Sequence, residues 1–294
     1  MKNKTITIVG LGMLGASIAE GLKAVDFCKT VQALVRRQET ADKAVKLELV
    51  DTAGTDNAAL LAKSDLTIFC TPIPVTEKLI AENINFFKKH SILTDIASTK
   101  SRLVSSCLNT LKSRPDLRFI GGHPMAGSEK SGMDFRKVDM YKGANVFLTP
   151  EEDDCTDAIR TISDLWNALG AKVTLVDKCK HDEVVAYASQ ALHVVASGAA
   201  RAVLDNEDGR LCAVASAGGF RDLTRIASSN PTMWREILEN NPDGNILALS
   251  QIIAELNYAL NLMKANDWDG IETFFAHGKQ LKDDYLEKKA AAKL

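Results

Sequence analysis

The chain has 294 residues, of which 46% are hydrophobic and 25% charged, and its net charge is −2. That length suits roughly two domains, and so even a charge balance gives no electrostatic reason to expect nucleic acid or a membrane as partner. Cys28, Cys70, Cys107, Cys155, Cys179 and Cys212 are scattered; this argues against a zinc site or a disulfide framework, predicts no bound metal, and fits a cytoplasmic location.

In chain order, Thr5-Ile6-Thr7-Ile8-Val9 is β-branched and reads as a buried strand. Lys2 and Lys4 ahead of an apolar run resemble an export signal, but Gly10, Gly12 and Gly15 punctuate that run and no clear cleavage site follows. The strand leads directly into Gly10-Leu11-Gly12-Met13-Leu14-Gly15, and a helical pattern runs from Ala16 to about Ala24. Glycines spaced in this way between a strand and a helix form a dinucleotide turn. The first makes the bend, the second admits a pyrophosphate, the third lets helix and strand pack closely, and the helix N-terminus favours the phosphate charge.

The second strand, Val31 to Val35, ends without the carboxylate that would hold an adenosine ribose; Arg36 and Arg37 follow instead. Two cations there suit a 2′-phosphate, each charge-assisted hydrogen bond contributing about 1.5–3 kcal/mol. The expected cofactor is NADP, with NAD still possible. Strands at 66–70, 91–96 and 118–122 alternate with helical stretches at 75–88 and 101–112. Such alternation predicts a Rossmann-type, doubly wound parallel sheet covered by helices, with functional residues at the carboxyl edge. Thr71, Pro72, Ser98 and His123 are expected there, each following a strand, and neighbouring strands would put Ser98 beside His123. Strands at 145–148 and 172–176 complete the sheet.

His123 lies in Gly121-Gly122-His123-Pro124-Met125-Ala126-Gly127-Ser128-Glu129-Lys130-Ser131-Gly132. Glycine lets a ligand approach the backbone and proline stiffens the exit, so the histidine is held yet reachable; the plainer alternative is a strand-end turn. After Asp177 the pattern is helical only, which sets the expected domains at 1–177, for dinucleotide binding, and 178–294, all helical. Residues 182–204 are apolar nearly all round and predict a buried helix rather than a membrane span, since Gln190, His193 and Arg201 interrupt them. Asn230-Pro231 opens a helix carrying Trp234. Ile246, Leu249, Ile253, Leu256, Leu260 and Met263 form a seam that packs on another helix of the chain or of a second subunit.

Taken together, Gly10 to Gly15, Thr94 to Lys100, the Gly121–Gly132 stretch, His181-Asp182 and Ala217-Gly218-Gly219-Phe220-Arg221-Asp222-Leu223-Thr224-Arg225 resemble, in that order, the prephenate/arogenate dehydrogenases of tyrosine biosynthesis. The resemblance covers essentially the whole chain. It implies NAD(P)-dependent oxidative decarboxylation of a cyclohexadienol, with His123 taking the proton of the ring hydroxyl, Ser98 touching that hydroxyl and the dinucleotide, and Arg225 holding a carboxylate. It further implies that His193, Gly219, Ser128, Gln190 and Trp234 line the substrate site and that Glu129 and Asp222 gate or orient Arg225. Relatives often carry Ser-His-x-x-His where this chain reads Ser189-Gln190-Ala191-Leu192-His193. The retained His193 favours prephenate, and arogenate is the alternative. A homodimer through the helical domain is expected, and the short tail after the last helix leaves no room for an appended regulatory domain. Two other readings compete: a β-hydroxyacid dehydrogenase, for which Lys178 and Lys180 sit poorly, and a non-enzymatic NADP-binding protein, which has no need of Ser98, His123 and Arg225.

Overall fold

The computed structural model describes residues 1–127, 130–152 and 154–292. Its strands are β1 (Thr5–Val9), β2 (Thr30–Leu34), β3 (Thr52–Gly54), β4 (Leu66–Phe69), β5 (Ile92–Asp95), β6 (Arg118–Pro124), β7 (Asn145–Thr149) and β8 (Lys172–Leu175). They form one sheet in the order β3-β2-β1-β4-β5-β6-β7-β8. Between them run α1 (Met13–Ala24), α2 (Gln38–Lys46), α3 (Asn57–Leu61), α4 (Ile73–Glu82), α5 (Ser101–Leu111) and α6 (Thr156–Ala168). Adjacent residues on a strand face opposite ways. Ile68 accordingly joins a core layer with Ile8, Leu22 and Trp166, while Phe69 joins the other with Val9, Leu103 and Phe119. With both faces covered, even Thr7 and Thr67 on the central strands are fully buried.

The chain steps outward from β1 through β2 and β3, then returns to β4 on the other side of β1. That reversal opens a crevice beyond the carboxyl ends of β1 and β4, the usual ligand position in such sheets. Two features depart from the expected sheet. β3 is a short extra edge strand, too brief to carry a periodic signal. β7 runs antiparallel to β6, and the described residues of the link between them hold a 3₁₀ turn, Met133–Phe135, and no crossover helix. β6 is also longer than expected, so His123 does not follow the strand; it lies within it, paired with Phe147.

The helical part contains α7 (Lys178–Val185), a π turn (Ala186–Gln190), α8 (Ala191–Leu204), α9 (Gly209–Ala215), α10 (Gly218–Thr224), α11 (Pro231–Glu239), α12 (Pro242–Lys264) and α13 (Trp268–Ala292). The single buried helix expected at 182–204 is therefore broken at the π turn, and in α8 only Ala191 and Ala196 are buried. Much of the apolar character there comes from alanine and glycine, whose small surfaces cannot anchor a core on every side. The chain packs as two compact units, Met1–Pro242 and Asp243–Leu294. In the second, α12 and α13 are joined through Asn266, at φ 56°, a left-handed conformation asparagine tolerates. The seam on α12 is exposed at Ile246, Ile253, Leu256, Leu260 and Met263.

Where β6 passes β5 there is no room for a side chain. A Cβ on Gly122 would stand 2.7 Å from the Asp95 carbonyl oxygen, a backbone atom that cannot swing away. Gly122→Ala is expected to lower unfolding stability by about 1–3 kcal/mol, the usual cost of overpacking, measured by denaturant titration; an unchanged midpoint would contradict this packing.

Candidate active site

The turn after β1 explains two of its three glycines by packing alone. Gly10 has φ 93°, and a Cβ there would meet the Cys70 carbonyl oxygen at 2.9 Å. A Cβ on Gly15 would stand 2.2 Å from the Gly10 carbonyl oxygen. Gly12 is different: its φ is −74°, open to any residue, and nothing lies within 4 Å of where its Cβ would be. Neither strain nor crowding in the protein requires glycine there. The space suits a pyrophosphate approaching the first turn of α1, so these residues fit a dinucleotide. Leu11 and Met13 turn their side chains into the core, and Leu14 packs against it. Arg36 and Arg37 are exposed just past β2. Across the crevice, the Thr71 hydroxyl lies 2.8 Å from that of Thr76, and Pro72 caps α4.

The carboxyl ends of β5 and β6 hold a second, buried cluster. Asp95 and Lys100 form an ion pair with essentially no exposed surface. Asp95 also accepts hydrogen bonds from the N–H groups of Ala97 (2.7 Å) and Gly122 (3.1 Å), fastening the Ser98 loop to the strand that carries His123. His123 Nδ1 lies 2.9 Å from His181 Nε2, and His181 Nδ1 lies 2.8 Å from Asp182 Oδ1. The Asp182 carboxylate accepts as well from the N–H groups of Lys100 (2.7 Å) and Ser101 (2.8 Å).

Electrostatics gives this row a direction. Burial opposes charge on Asp182, but the hydrogen bonds from His181 and from the Ser101 and Lys100 amides outweigh it and hold its pKa below 3.8. A carboxylate only accepts, so His181 carries its proton on Nδ1. With one proton on each ring, His181 Nε2 accepts from His123 Nδ1, and the lone pair of His123 falls on Nε2. Burial, then His181, then Lys100 keep the pKa of His123 well below 6.5. The arrangement is a neutral imidazole base of fixed tautomer, able to take a proton from a hydroxyl.

The π turn brings Gln190 inward. Its side chain is buried, its Nε2 donates to the Ser98 carbonyl at 3.4 Å, and its Oε1 accepts from Asn241 at 2.8 Å. Asn241 also donates to the Asp182 carbonyl (2.8 Å). His193, three residues on and so on the same helical face, donates from Nδ1 to the Ser189 carbonyl (2.9 Å) and stacks on Trp234 with ring centroids 3.8 Å apart. The Trp234 indole N–H is buried with no partner among the described residues. Burial chiefly, with a contribution from nearby Arg225, lowers the pKa of His193, while its bond to Ser189 opposes the shift. Arg225 itself is exposed, at the start of a 3₁₀ turn, Arg225–Ser228. Gly219 is exposed on α10 with nothing near its Cβ position. Asp222 lies 3.7 Å from Arg221 on the surface. Ser128 and Glu129 lie outside the described residues.

Sequence reasoning singled out Ser98 and His123 but gave no role to the residues that hold them. The adjacent pair His181-Asp182, the Asp95/Lys100 spacing and Asn241 were all visible as residues, yet only the fold shows that they meet.

The family model described as "Prephenate dehydrogenase, nucleotide-binding domain" matches residues 18–175, and "Prephenate dehydrogenase, dimerization domain" matches residues 177–277. The chain belongs to the prephenate dehydrogenase family. The chain is 31% identical to a prephenate dehydrogenase of Bacillus subtilis (strain 168), over 95% of this chain and 75% of that protein. Among solved structures, prephenate dehydrogenase from A. aeolicus in complex with hydroxyphenyl propionate and NAD+ superposes with a TM-score of 0.88 at 27% identity, covering 98% of this chain and 99% of that one. Synechocystis arogenate dehydrogenase gives 0.83 at 27% identity, covering 96% and 99%. As in that family, the chain is an NAD(P)-dependent oxidoreductase. By length and composition alone α12 could cross a membrane, with mean hydropathy 1.3 in its most apolar window, but it falls within the segment matched by the dimerisation domain.

Because packing leaves Gly12 free, Gly12→Ala is expected to melt within about 1 kcal/mol of the parent yet bind NADP at least about tenfold more weakly, a methyl now occupying the pyrophosphate space. Calorimetric titration beside a thermal melt checks this; undiminished affinity would remove the pyrophosphate from this turn.

Proposed function

We propose that the chain is an NADP-dependent prephenate dehydrogenase, converting prephenate to 4-hydroxyphenylpyruvate for tyrosine biosynthesis. The observation that carries this reading is the row Asp182–His181–His123, which presents the His123 Nε2 lone pair from a buried, uncharged ring. The dinucleotide, when bound, supplies the acceptor for the hydride that leaves the hydroxyl-bearing ring carbon. His123 takes the hydroxyl proton as that carbon becomes a carbonyl. Loss of the ring carboxylate as carbon dioxide then sends its electron pair through the ring to the oxygen, and the proton returns there to give the phenol. Aromatisation drives the step, so the protein's main task is orientation. In this reading Ser98, on the loop that Asp95 fastens to the strand of His123, contacts the same hydroxyl, and Arg225 offers a planar fork to a carboxylate.

The cofactor choice is supported by Arg36 and Arg37, exposed where β2 ends without a carboxylate. Prephenate over arogenate is supported by the field around His193. Arg225 disfavours a proton on that ring, and the ammonium group of arogenate would meet the same repulsion, whereas the keto group of prephenate would not. In this reading residues 178–294 bind substrate and form a homodimer in the cytoplasm, with the exposed seam of α12 facing the second copy.

Nicotinamide reduction, measured with prephenate and arogenate against NADP and NAD, tests the proposal: turnover is expected with prephenate, and NADP should be favoured by about tenfold or more. Turnover with arogenate alone would overturn the substrate assignment, and none from folded protein would overturn the enzyme. His123→Asn should lower kcat by about a hundredfold or more, as expected for loss of a general base.

The pH profile follows from the sign of the His123 shift. The neutral ring is the active form and its pKa is lowered, so kcat/KM should hold as pH falls through 6.5 and decline only below it. An acid limb at or above 6.5 would show that His123 is not the base.

A further inference from the structure

Past the His123 stretch the chain lies along α1, touching it at three places on one face. Tyr141 donates its hydroxyl to the Leu14 carbonyl (2.9 Å), the Lys137 N–H donates to Ser17 Oγ (3.0 Å), and Arg136 pairs with Glu20 (3.3 Å). Tyr141 is fully buried, its ring edge-on to Trp166 with centroids 5.1 Å apart. A buried phenol needs an acceptor, and this one has taken a carbonyl in the first turn of α1. Ser17 meanwhile donates to the Met13 carbonyl (2.8 Å). Two consecutive carbonyls at the start of this helix thus accept side-chain hydroxyls.

The consequence lies at the other end of each peptide. The Met13 carbonyl belongs to the amide whose N–H is on Leu14, and the Leu14 carbonyl to the amide whose N–H is on Gly15. Both N–H groups precede Ala16, whose N–H bonds to the Gly12 carbonyl, so they belong to the open first turn that faces a ligand. Donation to a carbonyl polarises the whole amide and strengthens its N–H as a donor.

We propose that Tyr141 is a positioning residue of the dinucleotide site, acting through the Leu14–Gly15 peptide to fix and strengthen the Gly15 N–H as a pyrophosphate donor. This rests on the reading of Gly10 to Gly15 as the pyrophosphate turn. Burial holds the phenol well above its ordinary pKa of 10.0, so the donor proton is present throughout the working range.

The test is calorimetric titration of NADP into the full-length protein and its Tyr141→Phe variant, with prephenate KM measured at saturating NADP. Tyr141→Phe keeps the ring against Trp166 and removes only the donor. The expected result is a three- to tenfold rise, roughly the value of one hydrogen bond, in the NADP dissociation constant, with prephenate KM unmoved. A constant within twofold of the parent, or a rise matched by prephenate KM and a fallen melting temperature, would reduce Tyr141 to a packing residue. Should Tyr141→Phe fail to fold, Tyr141→3-fluorotyrosine keeps the hydroxyl and makes it a stronger donor; NADP should then bind more tightly, and unchanged or weaker binding overturns the inference. Gly12→Ala run alongside separates the two claims. If it weakens NADP and Tyr141→Phe does not, the turn stands and Tyr141 falls; if neither does, the turn itself is misplaced.

Discussion

One carboxylate holds the candidate site together. The N-cap of α5, Lys100, has no side-chain acceptor of its own for the open amides of the first turn. Asp182, from α7, supplies it by accepting from Lys100 and Ser101, and a negative charge is favoured at that end of a helix. The same carboxylate orients His181, and through it His123. Helix α7, the start of α5 and the His123 ring are therefore tied to one group. Removing its charge would uncap α5 and release the tautomer of His123 together, so stability and the proposed catalysis are linked at this point. Its lowered pKa gives the pH sense: the contribution is present above 3.8 and is lost as pH falls through the lower folded value.

Beneath that carboxylate lies the Asp95–Lys100 pair. A buried ion pair seldom gains much stability over an apolar one, whereas losing one partner costs about 3–5 kcal/mol. Its presence here is better explained by what Asp95 also does. It ties the Ala97 amide on one strand end to the Gly122 amide on the next, holding Ser98 and His123 in register. Gly121 and Gly122 make this possible by letting β6 pass where side chains would strike Thr149, Val104 and the Asp95 backbone.

The fold was legible because the period and spacing that define it are local. A β-branched strand, three glycines and a helix announce themselves in twenty residues, and the carboxyl-edge rule pointed to the ends of β5 and β6, which the Asp95 carboxylate ties together. What could not be read was set by contacts across large sequence separations. Nothing local distinguishes His181 from an ordinary polar residue until it meets His123 across two elements. The antiparallel β7 depends on a missing crossover helix rather than on strand composition. The alanine-rich stretch around α8 counted as apolar and so as buried, although its side chains are too small to make a core on all sides.

The residues that the fold does not explain are the ones that point outward. Gly10, Gly15, Gly121 and Gly122 are each required by a neighbour, but Gly12 is required by none. The Trp234 indole N–H is withdrawn from solvent without an acceptor among the described residues, a cost that a folded protein normally avoids. Arg36 and Arg37 stand exposed at the end of β2, and Arg225 beside His193 lowers a pKa that burial already depresses. In the proposed reading their partners are a pyrophosphate at Gly12, a 2′-phosphate at the two arginines and a carboxylate at Arg225. Local rules fail where the missing partner is a ligand. Asp95, Lys100, Asp182, His181 and His123, by contrast, find partners within the chain. In the proposed mechanism, orientation of the base is thus built into the core, while recognition is left to groups whose partners arrive from outside.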